Sequence, residues 1–316
     1  VQGANADPIK RGLNSEHFKS TKAAIEYAME LDVAAIAVES VVPTMRGAWS
    51  YHEEISRKYE YNVFRVLQNA ITFGLPQWRP RFWCIFIRRR GAVSQTFIVH
   101  HRPEYRTIGE ALQGVTPGDA MWYVSHGFDL YTRKLSEHGI KLTDVLETGV
   151  GSVPYLVAKY MKFADEANMT KNQAEYEAAH RYNFTTFSSA WPLQLDPGGF
   201  SPTLMATSHW YYNGRPLTIP EYNVIAGFPA DYKFDRPREI TAYLSRGIAP
   251  PVGEWILGEI ERNLDGELPI QQAYTDMVAI LKPDDVADFR VRRGDLKQRK
   301  LFNLHRRDDE ELSYAT

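Results

Sequence analysis

The sequence predicts an α/β fold, part of an open sheet covered by helices, joined to an irregular α+β module. Three observations predict it. Helical spacing over residues 21–31 runs directly into an apolar stretch at 33–38, the helix-then-covered-strand order of α/β sheets. Residues 81–88, Arg-Phe-Trp-Cys-Ile-Phe-Ile-Arg, give the strongest strand signal in the chain, because aromatic and β-branched side chains suit a pleated, covered surface. From 90 to 213 the pattern breaks into short apolar runs separated by Gly, Pro and aromatic residues, with little long helical periodicity.

Composition bounds the function. At 316 residues the chain can form one large or two moderate domains around a substantial core. Its 37 Lys and Arg against 39 Asp and Glu give a net charge of −2, which excludes a wholly basic nucleic-acid coat and allows a local basic face. A single cysteine, Cys84, excludes an intrachain disulfide and, without another chain, a multi-thiolate zinc site. It agrees with a reducing intracellular setting, cytoplasm or nucleoid. No apolar stretch approaches the roughly 18 residues of a membrane helix. The nine histidines show no strong metal-ligand spacing, so no metal is expected. Dinucleotide and phosphate glycine loops are missing, as is a Gly-x-Ser-x-Gly elbow.

Taken in order, 1–18 reads as a loop punctuated by Gly3, Pro8 and Gly12. Ala24, Ile25, Ala28 and Leu31 share a helix face, and the following strand ends in Glu39. Residues 44–60 read as loop and helix. After Gly74 and Pro76 comes the 81–88 strand, with Cys84 at its middle as a buried, inert thiol. A helix is predicted near 170–181. Thr218 and Glu221 have the capping-box spacing of a short helix within 216–227. Pro250-Pro251 opens another helix, with Val252, Trp255, Ile256 and Ile260 on one face. The charge blocks of 265–316 read as a peripheral extension.

Two places suggest chemistry. Ligands collect at the carboxyl ends of strands in open parallel sheets, where Glu39 is either a solvent-facing terminus or a partly buried group able to hold a proton. Gln77, Arg79 and Arg81 alternate, so in an extended segment they point together. Arginine forks there suit carboxylates, phosphates or base edges.

The order of these features resembles the DNA cytosine-5 methyltransferases, over their carboxyl-terminal two-thirds. Glu39-Ser40-Val41 is similar to the family's Glu-Asn-Val block, and Gln77-Trp78-Arg79-Pro80-Arg81 matches its Gln-x-Arg-x-Arg block in full. Ser201-Pro202-Thr203-Leu204 resembles the segment closing the target-recognition domain. Arg215-Pro216-Leu217-Thr218-Ile219-Pro220-Glu221 resembles the Arg-x-Leu-Thr-x-x-Glu block, with Gly227-Phe228-Pro229 close behind. Ser245-Arg246-Gly247 stands at the last block. Two positions depart from the pattern: Ser40 replaces the asparagine of the first block, and Ser245-Arg246 replace a Gly-Asn pair.

The resemblance implies a partial Rossmann-like methyltransferase sheet at 1–91 and a target-recognition domain at 92–213. A return to the catalytic domain follows at 214–264, before the charged extension 265–316. It implies S-adenosylmethionine as cofactor, double-stranded DNA as partner, and DNA methylation or restriction–modification as setting. Glu39, Arg79 and Arg81 become the catalytic candidates. Gln77, Thr203, Arg215 and Glu221 become the substrate-binding ones, and Ser245 and Arg246 the cofactor-binding ones. The family's Pro-Cys nucleophile block would lie upstream of Gly3–Gly12, so the thiol is expected from an upstream segment or a separate subunit, and this chain alone is expected to be inactive. A catalytically inactive DNA-binding, regulatory or structural relative is the alternative.

Overall fold

The computed structural model describes residues 16–40, 45–89, 105–163, 169–184, 191–206, 208–234 and 240–265. The 1–15 loop, Val41, most of the charged extension 265–316 and the 91/92 border therefore lie outside the described residues. The fold is mixed α/β and divides into two compact units. The first takes its described residues from Val1–Thr72, Pro80–Arg102 and Gly253–Thr316, the second from Phe73–Arg79 and Pro103–Val252. By packing, 214–252 thus belongs with 103–213.

The first unit is built on α1 (Glu16–Glu30), β1 (Ala35–Ser40), α2 (Met45–Lys58), β2 (Tyr61–Asn69) and β3 (Pro80–Arg88). The sheet order is β1-β3-β2, and both pairings are antiparallel. β1 and β2 therefore run the same way, with β3 reversed between them. This brings the carboxyl ends of β1 and β2 and the start of β3 to one edge. Phe82, Cys84 and Phe86 of β3 project to one face and pack with Phe18, Ile25 and Met29 of α1 and Tyr51 and Ile55 of α2. Trp83, Ile85 and Ile87 project to the other and are equally buried. Burial on both faces explains why β3 is an unbroken apolar run rather than an alternating one. Of the elements in this unit, β2 had no clear strand signal in the sequence. It forms because it pairs with β3 along its full length, from Tyr61 opposite Arg88 to Asn69 opposite Pro80.

The second unit is more helical than its sequence suggests. It contains α3 (Ile108–Leu112), α4 (Trp122–Ser136), α5 (Leu142–Glu147), β4 (Gly151–Ser152), α6 (Val153–Tyr160), α7 (Lys171–Arg181), β5 (Leu193–Gln194), β6 (Trp210–Tyr212), β7 (Arg215–Pro216), α8 (Ile219–Ala226) and α9 (Ile240–Arg246). A final helix, α10, spans Pro250–Asp265. The short strands form a sheet of order β4-β5-β6-β7, with β5 and β6 parallel. Val124, Tyr131 and Leu135 of α4 lie on one buried stripe, so aromatic residues that interrupt the apparent pattern are in fact its core. Tyr131, Tyr211 and Tyr222 are buried almost completely.

Gly227 ends α8 in the left-handed region, at φ 91°. A side chain there would meet Leu75 at 3.0 Å and Pro251 at 3.2 Å. Gly227→Ala is therefore expected to cost about 1–3 kcal/mol, from backbone strain and crowding together. Urea denaturation of the two proteins measures it.

Candidate functional site

The edge where β1 and β2 end and β3 begins carries the most suggestive pair. Glu39 and Arg81 meet there, with Arg81 Nε 2.8 Å from Glu39 Oε1 and the side chains 13% and 20% exposed. The register explains the meeting: Glu39 sits opposite Trp83, two residues along β3 from Arg81 on the same face, and such diagonal neighbours are within reach of long side chains. Arg81 also donates to Pro80 O at 3.0 Å. Burial lowers the Arg81 guanidinium from its usual range, and Glu39 opposes that shift. A partly covered carboxylate and guanidinium side by side can grip a planar group that offers donors and acceptors on one edge.

Arg79 has a different task. It is 5% exposed and donates to Leu244 O at 3.2 Å, Ser245 O at 2.9 Å and Gly247 O at 2.6 Å. It thus caps the carbonyl end of α9, where helix carbonyls lack intrahelical donors. Alternation along an extended segment groups Arg79 with Arg81, but in the structure carbonyls 165–168 residues away take Arg79 up.

Gln77, 1% exposed, bridges in parallel to Ser201. Trp78 N–H donates to Ser201 O and Ser201 N–H to Pro76 O, each at 2.8 Å. Thr203 Oγ1 donates to Trp78 O at 2.7 Å. Gln77 and Thr203 are therefore brought to one tied loop, with the Gln77 Nε2 buried and unpaired among the described residues. Arg215 and Glu221 form a fork, with contacts of 2.9 and 2.6 Å. Glu221 also accepts from Thr218 N–H at 2.8 Å and Oγ1 at 2.7 Å, which is the capping box at the start of α8. Burial alone would raise the Glu221 carboxyl, but the hydrogen bonds from Arg215 and Thr218 outweigh it and hold it below the usual range. A depressed carboxyl stabilises the fold above its unfolded value, near 4.5, and that contribution is lost as pH falls through the folded value. Melting followed below pH 4.5 should therefore steepen in the native chain and flatten in Glu221→Gln.

Cys84 lies on the opposite face of β3 from Arg81, fully buried, and burial pushes its thiol up, away from thiolate character. It lines a small, largely apolar cavity with Val38, Ser40, His52 and Phe82. Burial and the nearby Arg65 push the His52 imidazole down to about 3. Neither feature faces Glu39 and Arg81.

A family model described as "C-5 cytosine-specific DNA methylase" matches residues 53–262, two thirds of the chain. The chain belongs to that family. Membership implies S-adenosylmethionine as methyl donor and DNA as substrate. Arg81 lies inside the matched stretch and Glu39 outside it.

Among solved structures, the chain is similar to a DNA modification methyltransferase encoded within a prophage of E. coli, at 16% identity and TM-score 0.49, covering 82% of this chain and 77% of that one. It is also similar to the methyltransferase EhMeth of Entamoeba histolytica, at 13% identity and TM-score 0.46, covering 79% and 72%. A third is the Dnmt2 methyltransferase of S. pombe, at 12% identity and TM-score 0.39, covering 84% and 75%. Comparison with curated protein sequences gives no match. No described helix is long and apolar enough to cross a membrane.

The residues expected to hold the methyl donor do not fit it. Ser245 Oγ donates to Ala242 O at 3.0 Å within its own helix, and the Ser245 carbonyl is taken by Arg79. Arg246 is exposed at the helix end. Among the described residues these two make no enclosure for an adenosine bearing a sulfonium.

Proposed function

We propose that this chain is the base-handling part of a DNA cytosine-5 methyltransferase, and that polypeptide outside these 316 residues, an upstream segment or a separate subunit, supplies the nucleophilic thiolate and the donor pocket. The observation that carries this reading is the Glu39–Arg81 pair at the sheet edge, in a chain of the methylase family whose one cysteine is buried on the other face.

The chemistry follows from the base. Carbon 5 of cytosine is a poor nucleophile until a thiolate adds at carbon 6 and pushes electron density into the ring. That density accumulates toward ring nitrogen 3 and the O2 carbonyl. Glu39, protonated or sharing a proton, hydrogen-bonds nitrogen 3 and so stabilises the addition. Arg81 stabilises the charge on O2. The base must leave the helical stack to reach them. Arg79 holds the 244–247 turn, Gln77 and Thr203 fix the loop before β3, and Arg215 and Glu221 brace the start of α8; these are supporting roles.

Purified by itself, the chain is expected to transfer no tritiated methyl groups from S-adenosylmethionine to DNA. Transfer that persists in Cys84→Ala would contradict the need for an outside thiol. DNA binding without transfer, even with the thiol-bearing complement present, would favour an inactive regulatory relative.

A further inference from the structure

The sheet face that carries Glu39 and Arg81 holds two more polar side chains that the reading above does not use. Trp83 lies directly opposite Glu39 across β1 and β3, and Gln68 directly opposite Arg81 across β2 and β3. Residues directly opposed in antiparallel strands project to the same face, as do Arg81 and Trp83 two apart on β3. All four side chains therefore share it. The ion pair is the partly exposed rim of this cluster. Trp83 and Gln68, 3% and 6% exposed, are its buried floor.

Both floor residues hold an unanswered donor. The Trp83 indole Nε1 and the Gln68 amide Nε2 are buried and have no hydrogen-bond partner among the described residues. Buried N–H groups are nearly always paired, because leaving one unpaired forfeits the hydrogen bonds it made to water. Both donors stand on the face that carries the ion pair, where an acceptor-bearing ligand would answer them.

We propose that Gln68 is a substrate-contacting residue and Trp83 a positioning residue for the base that Glu39 and Arg81 handle. The proposal rests on the reading that this pair receives cytosine. A cytosine offers a carbonyl acceptor at O2 beside nitrogen 3 and an amino donor at nitrogen 4. Its O2 has two lone pairs, and Arg81 and Gln68, side by side across β3 and β2, supply a donor for each. Entry of the base parts the Glu39–Arg81 contact. Trp83, opposite Glu39, then donates its indole N–H to the carboxylate oxygen that Arg81 releases, and keeps the carboxyl aimed at nitrogen 3.

The test uses the chain as purified, with deoxycytidine monophosphate as the probe and the tryptophan indole N–H resonances as the readout. Trp83→Phe identifies the Trp83 resonance among the seven tryptophans. That resonance is expected to move on titration, and Gln68→Leu is expected to raise the nucleotide Kd about three- to tenfold, the worth of one hydrogen bond. Gln68→Leu should leave the melting temperature unchanged or higher, because it removes an unpaired buried donor; a merely structural glutamine would lower it. An indole resonance that stays still up to the solubility limit of the nucleotide overturns the proposal. So does a Gln68→Leu protein that melts lower and binds normally. If Glu39→Gln and Arg81→Ala weaken binding while Gln68→Leu does not, the inference fails and the site reading stands. If none of the three weakens binding, the site reading fails with it.

Discussion

Replacing Glu39 by Gln in the enzyme joined to its thiol-bearing complement is expected to slow single-turnover methyl transfer about 10²–10⁴-fold, the usual worth of one positioned proton donor. Gln keeps the size of the side chain and can still accept from Arg81, so the β1–β3 edge should hold its shape. What it loses is the acid: it cannot share a proton with ring nitrogen 3 as the thiolate adds. DNA affinity should change far less than the rate, since most of that affinity comes from phosphate contacts. Arg81→Ala should also cut the rate, by about 10²–10³-fold if its share is that of one electrostatic donor. It carries an added penalty, because it leaves Glu39 without its partner at 2.8 Å. Arg81→Lys separates these effects, since it keeps the charge and loses the fork. Equal rates in Glu39→Gln and the native enzyme would remove Glu39 from the mechanism.

Arg79→Met is expected to have the largest effect on stability, about 3–5 kcal/mol. The side chain is 5% exposed and donates to three carbonyls at the end of α9. Methionine fills similar volume but offers no donor, so those carbonyls lose charge-assisted partners in a place water reaches poorly. Each buried carbonyl left without a donor costs about 1–3 kcal/mol. Chemical denaturation measures it, and the same protein discriminates between roles. If Arg79 instead touched the substrate, Arg79→Met would melt normally and bind DNA poorly.

Local pattern was enough for the elements whose cause is local. The β3 run, the α8 capping box at Thr218 and Glu221, and the proline-led α10 all stand where the sequence puts them, within a residue or two. The α4 helix was hidden because its buried stripe includes Tyr131 and Gly127 rather than a plain aliphatic series. For β2 the cause is its neighbour, since pairing with β3 makes it a strand.

The site divides along the same line. Glu39 and Arg81 are individually visible as a strand-end acid and a motif arginine, but their contact depends on a cross-strand register that no local spacing encodes. Alternation groups Arg79 with Arg81, whereas carbonyls at 244–247 claim it through a long-range contact. Gln68 and Trp83 are not among the site residues that the sequence suggests. Only the pairing of three strands puts them on the Glu39 face.

DNA containing 5-fluorocytosine offers the most direct measurement. With S-adenosylmethionine present, the methyl group is transferred to a carbon 5 that carries fluorine in place of the proton whose loss would expel the thiol, so the thiol stays bonded to carbon 6 and mass spectrometry of the trapped, digested complex identifies it. An adduct is expected on a cysteine outside these 316 residues, greatly reduced in Glu39→Gln. An adduct on Cys84, or equal trapping with and without the Glu39 carboxyl, would contradict it.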